Sequence, residues 1–326
     1  MKKNTRIFLC ALLALMILSS ALLIPSGAML GDYMYEWMDY SWGILPVANA
    51  EGEETVSYEL PIDFTPGMTP NPAAYTESGY SDDSITVTLE TREEDGVVWR
   101  IAYVTIKDAS QFRTGIAGNK VTSSRVALPS AMAEKYNAII AISGDYYAND
   151  PAKTTYEYRM GQKIRNKRNR KKDILIIDEN GDFHLFVKSD EAAMKEFDKS
   201  GLGILHAFTF GPALVKDGNL LEMDEDYGYN PNGREPRMAI GQMDTLSYVL
   251  VLAEGRTDDS QGVTHQGLAD FMFDLGCLEA FNLDGGNTAT MVFNGGYYQE
   301  KTVNNERPQS DIIYFATAVD PSTWSE

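Results

Sequence analysis

The residues Phe281-Asn-Leu-Asp-Gly-Gly-Asn-Thr-Ala-Thr-Met-Val292 decide how the rest of the chain is read. An apolar strand runs into Asp284, two glycines follow, then small polar residues, then a second apolar strand. Gly285 and Gly286 let the backbone bend sharply and approach a ligand closely, because neither carries a Cβ. Their amides can face an anion while Asp284 is presented at the strand end. The plain alternative is an Asp-Gly hairpin turn. Alone, the stretch divides evenly between the two.

Three further segments tip that balance. Ala141-Ile-Ser-Gly-Asp-Tyr-Tyr147 again ends an apolar strand in a glycine and a carboxylate, Gly144 and Asp145. Pro236-Arg-Met-Ala-Ile-Gly241 places Arg237 at the mouth of a strand, and Ala253-Glu-Gly-Arg256 places Arg256 at the exit of the next. Strand-end charges are usually solvated. Carboxylates and guanidinium groups gathered beside glycines are also what is needed to hold a phosphate and attack the carbon next to it.

Around these segments the periodicity is mostly that of strands. Period-two or apolar runs predict strands at Ser84–Glu90, Val97–Ile106, Ala138–Ser143, Asp173–Asp178, Phe183–Val187, Met238–Met243, Ser247–Ala253, Ala280–Leu283, Thr290–Phe293 and Ile312–Thr317. Helices are predicted at Pro129–Tyr136, Glu191–Lys199 and Thr264–Leu275. The last has Leu268, Phe271, Met272 and Leu275 on one face, with Thr264 and Gly276 as caps. Strands outnumber helices and do not alternate with them. The class is therefore α+β: mixed β-sheets with a few flanking helices in a single catalytic domain.

Taken in order, Gly144-Asp-Tyr-Tyr, Phe210-Gly-Pro-Ala-Leu-Val-Lys-Asp-Gly218, Pro-Arg-Met-Ala-Ile-Gly, Glu-Gly-Arg and Asn-Leu-Asp-Gly-Gly-Asn-Thr-Ala-Thr-Met-Val resemble the phosphodiester glycosidase family over roughly residues 84–319. Gly161-Gln-Lys-Ile-Arg-Asn166 and Glu306-Arg-Pro-Gln-Ser-Asp311 agree with it. The resemblance implies a hydrolase of uncovering-enzyme type, an N-acetylglucosamine-1-phosphodiester α-N-acetylglucosaminidase or a bacterial exopolysaccharide-related relative. It departs from the family at Asn287, where a third glycine or a serine is usual, and at Ser143, where an asparagine is frequent. On this reading Asp284 and Asp145 are the carboxylate pair, with Arg237 and Arg256 on the phosphate. Asn282, Gly144, Gly285, Gly286, Asn287 and Thr288 line the sugar-phosphate site, with Glu254, Arg165, Arg307 and Asp311 as second choices. Glycoside cleavage uses two carboxylates around an oxocarbenium-like transition state. A departing phosphate ester needs little protonation, so charge stabilisation by arginine becomes the larger task.

Composition narrows the alternatives. The chain has 326 residues, 44% of them hydrophobic, and a formal net charge of -19. That charge repels a nucleic-acid backbone. The one basic run, Lys163–Lys172, reads either as a solvated hairpin or as a contact for an anionic polymer. Cys10 and Cys277 form no disulfide framework. His184, His206 and His265 lack the spacing of zinc ligands. No cofactor is expected, although a structural Ca²⁺ or Mg²⁺ is compatible with the reading. Two other functions stay open: a metal-dependent phosphodiesterase using Asp145, Asp284 and Asn287, and a non-catalytic carbohydrate-binding envelope module.

Lys2, Lys3 and Arg6 precede an uncharged run from Ile7 to Ile24. That arrangement predicts a signal anchor within residues 1–30, with the domain extracellular and the chain single-pass in the cell membrane. Secretion after cleavage near Ala48-Asn-Ala50 is the alternative. Residues 31–83 read as an aromatic juxtamembrane segment followed by an acidic Pro-rich linker, and 84–320 as the glycosidase domain. The expected partners are a phosphate-linked carbohydrate and, through the N-terminal segment, the membrane.

Overall fold

A computed structural model describes residues 57–121, 124–148, 155–300 and 306–324. All belong to one compact unit, Ser57–Glu326. The anchor, the aromatic segment at 31–46 and the cleavage site lie outside the described residues. No helix among the described residues is long and apolar enough to cross a membrane.

Three sheets share one core, and every strand pair among the described residues is antiparallel. The α+β class therefore stands, with antiparallel pairing where the sequence left the sheets mixed. The first sheet has nine strands. Its centre runs Ile85–Glu94, Val97–Ile106, Ser247–Ala253, Arg237–Asp244, Glu279–Leu283 and Ala213–Lys216. The second orders Phe183–Phe186, Ile174–Asp178, Ile204–Phe208, Tyr156–Arg159 and Gln162–Asn166. The third orders Gly296–Tyr297, Met291–Phe293, Ile140–Ser143, Asp311–Phe315 and Phe112–Ile116.

The inner faces meet in one cluster that takes Val104, Leu250, Ile240 and Phe281 from the first sheet, Leu175 and Phe208 from the second, and Ile142, Met291 and Phe315 from the third. Each outer face is covered by a helix. Helix α1 (Pro129–Lys135) packs Met132 and Ala133 on the third sheet. Helix α2 (Glu191–Ser200) lays Met194 and Phe197 on the second, capped by Asp190. Helix α3 (His265–Asp274) buries Leu268, Ala269, Phe271 and Met272 on the first, with the Thr264 hydroxyl accepting from the Gly267 amide as its N-cap. Burying one such large apolar side chain stabilises by roughly 1.5–3 kcal/mol.

Part of the segment expected to be linker belongs to the domain. Tyr75–Thr76 and Gly79–Ser81 extend the first sheet. Residues 61–65 are held by Arg113, which is wholly buried. Its five N–H groups donate to the carbonyls of Pro61, Asp63, Thr65 and Ser110 and to the Tyr314 hydroxyl. Prolines 61, 66, 70 and 72 interrupt regular structure there, and the stretch lies over the domain surface with Gly67 buried against Ala316.

Candidate functional site

Register explains why residues far apart in sequence converge. Arg237 pairs with Ala253, and Met238 with Leu283. The first residue of one strand therefore lies beside the last residues of its two antiparallel neighbours. Arg237, Glu254 and Asp284 thus stand at the same end of the first sheet. In the third sheet Ile312 pairs with Ser143, and Met291 with Ile142, which gathers Asp145, Asp311 and Thr290 at one end likewise.

Residues 284–290 link the two ends. They leave Glu279–Leu283 in the first sheet and enter Met291–Phe293 in the third. The Asp-Gly-Gly segment is therefore a crossover between sheets rather than a hairpin turn. Its glycines are required by close approach. A Cβ on Gly285 would lie 2.6 Å from the Pro236 carbonyl oxygen, and Gly286 has φ +61°. A Cβ on Gly144 would lie 2.5 Å from the Asp311 carboxylate, and Gly144 in turn accepts from the Asp284 amide.

A cleft of about 280 Å³ opens over this crossover, with Asp284, Arg256, Arg307, Asn287, Tyr229 and Phe210 among its walls. It adjoins a second hollow of about 510 Å³ that shares Arg256, Gly286, Asn287 and Arg307 and adds Glu254. Burial pushes the Asp284 carboxyl up to about 6, opposed by the hydrogen bond from Thr288 and the charge of Arg307 and reinforced by Asp145 and Asp311. The same Thr288 hydroxyl lies against the Gly285 carbonyl, so its single proton is shared between the two acceptors and ties the turn together.

Arg256 is exposed, with φ +61°. Its guanidinium donates to Glu235 at 2.7 Å and to the Asn287 side-chain oxygen at 2.8 Å. Arg307 is exposed, its guanidinium 5.1 Å from the Tyr146 ring centroid. Tyr146, Tyr229, Asn230 and Arg256 all have positive φ. The costly backbone conformations around the cleft are the kind a folded chain retains at ligand sites.

Beneath the floor is a cluster that the sequence reading only half saw. Arg159 is wholly buried and meets Asp145 at 2.6 Å, Asp311 at 2.8 Å and Glu157 at 3.0 Å. Burial alone would depress the guanidinium, but the three carboxyls outweigh it and keep it charged. Burial pushes Asp311 up to about 6 and Glu157 well above the usual carboxylate range, the latter helped by the adjoining Asp145. Burial and the neighbouring carboxyl therefore favour the neutral form of Glu157. Tyr156–Arg159 was not predicted as a strand. Its alternation of Tyr with Glu and Arg reads as a solvated face, and only the sheet order turns Glu157 and Arg159 inward.

The other expected residues fall into place as follows. Asp145 is enclosed below the cleft and also accepts from the Thr209 amide. Glu254 is buried and paired with Arg100 at 2.5 Å. Asn282 is buried, its amide donating to Gly211. Arg165 donates to the Tyr147 carbonyl, at the cluster's edge. Arg237 departs most from expectation, because it is not free to hold a phosphate. Its N–H groups reach the carbonyls of Val263, Tyr229, Asn230 and Gly233 and the ring nitrogen Nε2 of His265. Burial lowers it to about 10 and holds His265 near 3, so His265 is neutral and its Nε2 accepts a hydrogen bond from the charged Arg237. Arg237 thus clamps the Tyr229–Gly233 loop that forms one wall.

Among the described residues no group of three or more His, Cys, Asp or Glu is arranged to hold a metal ion. Of the three donors expected of a metal phosphodiesterase, the Asp145 carboxylate is paired with Arg159 and the Asn287 oxygen accepts from Arg256, while Asp284 faces the cleft.

The phosphodiester glycosidase family profile matches residues 136–316. The SPbeta prophage-derived uncharacterized protein YomE of Bacillus subtilis (strain 168) is 31% identical over 111 residues, covering 34% of this chain. The match spans only 17% of that protein's length. Among solved structures, the chain is similar to the catalytic domain of the zebrafish N-acetylglucosamine-1-phosphodiester α-N-acetylglucosaminidase, auto-inhibited by its pro-peptide. The TM-score is 0.55 at 15% identity, over 77% of this chain and 86% of that one.

Proposed function

This chain belongs to the phosphodiester glycosidase family, and from that premise we propose that it hydrolyses the glycosidic bond of a sugar-1-phosphodiester. One observation carries the reading: the crossover between two sheets sets a carboxyl, Asp284, in the floor of a cleft whose rim holds the exposed Arg256 and Arg307. The phosphate lies between the two guanidinium groups, and the anomeric carbon faces Asp284. Water attacks that carbon and gives its proton to the Asp284 carboxylate. The bond from the anomeric carbon to the phosphate oxygen breaks, and the phosphate monoester leaves with the electron pair. The arginines neutralise the charge that gathers on it. Asp145, Asp311, Glu157 and Arg159 support the floor from below, so the negative field at Asp284 is fixed by buried groups rather than by solvent.

The substrate we assign is a phosphate-linked carbohydrate of the cell envelope or an exopolysaccharide. The chain would be held at the outer face of the membrane by Ile7–Ile24, or released from it by cleavage. Family membership supports a hydrolase of this kind, and the basic flank of the apolar run supports the location.

Sugar release from a panel of sugar-1-phosphodiesters tests the activity. Because Asp284 works ionised, kcat/KM rises as pH passes about 6 and then levels. Asp284→Asn lowers kcat by about 10²–10⁴-fold. Near-normal turnover by that variant, or activity that declines above pH 6, removes Asp284 from the role.

A further inference from the structure

Seven of the chain's 28 lysines and arginines lie in the ten residues Lys163–Lys172, which contain no acidic residue. The rest of the molecule is strongly acidic, with a net charge of -19 overall. The first part of the run is the strand Gln162–Asn166, paired at the edge of the second sheet with Tyr156–Arg159. Its remainder is a turn that returns to Asp173. Lys163, Lys167, Arg170 and Lys171 are exposed. Their acidic neighbours are few: Arg168 meets Asp198 at 2.7 Å, and Arg170 meets Glu191 at 3.1 Å with the Arg170 side chain 79% exposed. Surface pairs of this kind are worth little and exchange readily with other anions.

The end of the run touches the cleft wall, and its start reaches the layer beneath the cleft. At its start Arg165 donates to the Tyr147 carbonyl at 3.1 Å, and the Tyr147 ring lies 5.3 Å from the Arg159 guanidinium beneath the cleft. At its end the Lys172 ammonium sits 4.1 Å from the Tyr229 ring centroid and 4.7 Å from that of Tyr227. Tyr229 stacks on Phe210, and both line the cleft that holds Asp284 and Arg256. A belt of cations therefore leads away from the mouth of a site built for one phosphate. Since charges screen within about 8 Å at physiological salt, a local belt attracts an anion despite the acidic remainder.

We propose that the Lys163–Lys172 run is an extended subsite for the aglycone, and that the natural substrate is a polyanionic polymer with repeated phosphates. This rests on the glycosidase reading for the site itself and adds the class of molecule lying across the scissile phosphate. A short phosphodiester fills only the cleft. A polymer continues past Tyr229 onto Lys172, Lys171, Arg170 and Lys167.

The test uses the full chain and a triple variant, Lys167→Ser, Arg170→Ser and Lys171→Ser, none of which lines the cleft. Long-chain inorganic polyphosphate is the binding probe, titrated across a salt series. Phosphatidylglycerol vesicles form a parallel arm, and thermal unfolding checks that the variant is folded. Wild-type binding weakens steeply with salt, and the variant flattens the log–log slope by about 2, at about 0.7 per lost phosphate contact. In a second readout the ratio of kcat/KM on a phosphate-linked glycan polymer to that on a short sugar-1-phosphodiester falls about tenfold or more. Equal polyphosphate binding by folded variant and wild type overturns the subsite. So does wild-type binding to vesicles with none to polyphosphate, which would make the run a membrane contact. If no substrate is turned over, the binding arm still decides the subsite, so the two readings fail separately.

Discussion

Burial holds the Asp284 carboxyl near pH 6 against an ordinary value of 3.8, so the folded chain prefers it neutral. Its contribution to stability is complete below about pH 4 and is lost as pH rises through about 6. At neutral pH the ionised group therefore weakens the fold, which is the usual cost of a working carboxyl in an enclosed site. Asp284→Asn is expected to raise unfolding free energy by about 1–3 kcal/mol at pH 7 and by little at pH 4, read by denaturant titration at both values. A variant less stable than wild type at pH 7 contradicts this. Arg237 illustrates the opposite case, a cation whose donors are all spent on the protein. Arg237→Lys, which cannot reproduce the fan of N–H groups, should cost about 2–4 kcal/mol and raise KM more than it lowers kcat. A fall in kcat alone would return Arg237 to the phosphate. In the sequence Asp284 and its glycines stand out only in company with the other strand-end charges, because alone the stretch reads equally well as a hairpin turn. Sequence misassigned Arg237 because a strand-start arginine looks the same whether it faces a ligand or a ring of carbonyls.

At the scale of elements, strands bounded by turns or glycines were legible. Val97–Ile106 and Ser247–Ala253 match their predicted bounds, and α3 begins where its Thr264 cap places it. What sequence did not show were strands without a clear apolar period. Tyr156–Arg159 carries Glu157 and Arg159 inward, and Tyr75–Thr76 and Gly79–Ser81 sit in a stretch that prolines and acids mark as spacer. Side-chain orientation in these short strands is set by their pairing partners, Tyr158 opposite Ala207 and Gly79–Ser81 opposite Thr86–Thr88, which local propensity cannot report. The Arg113 clamp makes the boundary testable. A chain beginning at Ser84 loses the carbonyls of Pro61, Asp63 and Thr65 and leaves a buried guanidinium short of acceptors. It should be about 3–5 kcal/mol less stable than one beginning at Ser57, or fail to unfold cooperatively. Equal melting curves for the two chains would return residues 57–83 to the linker.

Over the whole molecule, the site exists because strand ends of two sheets converge on one crossover. The strand Glu279–Leu283 closes one sheet's active end, and residues 284–290 carry the chain into the other. The ordered motifs in the sequence are the strand ends on either side of that junction, which is why they lie far apart along the chain yet surround one cleft. The charge layout follows the same plan, with an acidic body, two arginines at the rim and one basic run leading outward. Its chemical consequence is that the protein grips the phosphate and attacks the sugar, so the carbon–oxygen bond is the one broken. The direct measurement is hydrolysis of a sugar-1-phosphodiester in ¹⁸O-labelled water, with mass spectrometry of both products. The account predicts label in the free sugar and none in the phosphate monoester. Label in the phosphate would mean attack at phosphorus, and the glycosidase account of Asp284 would be wrong.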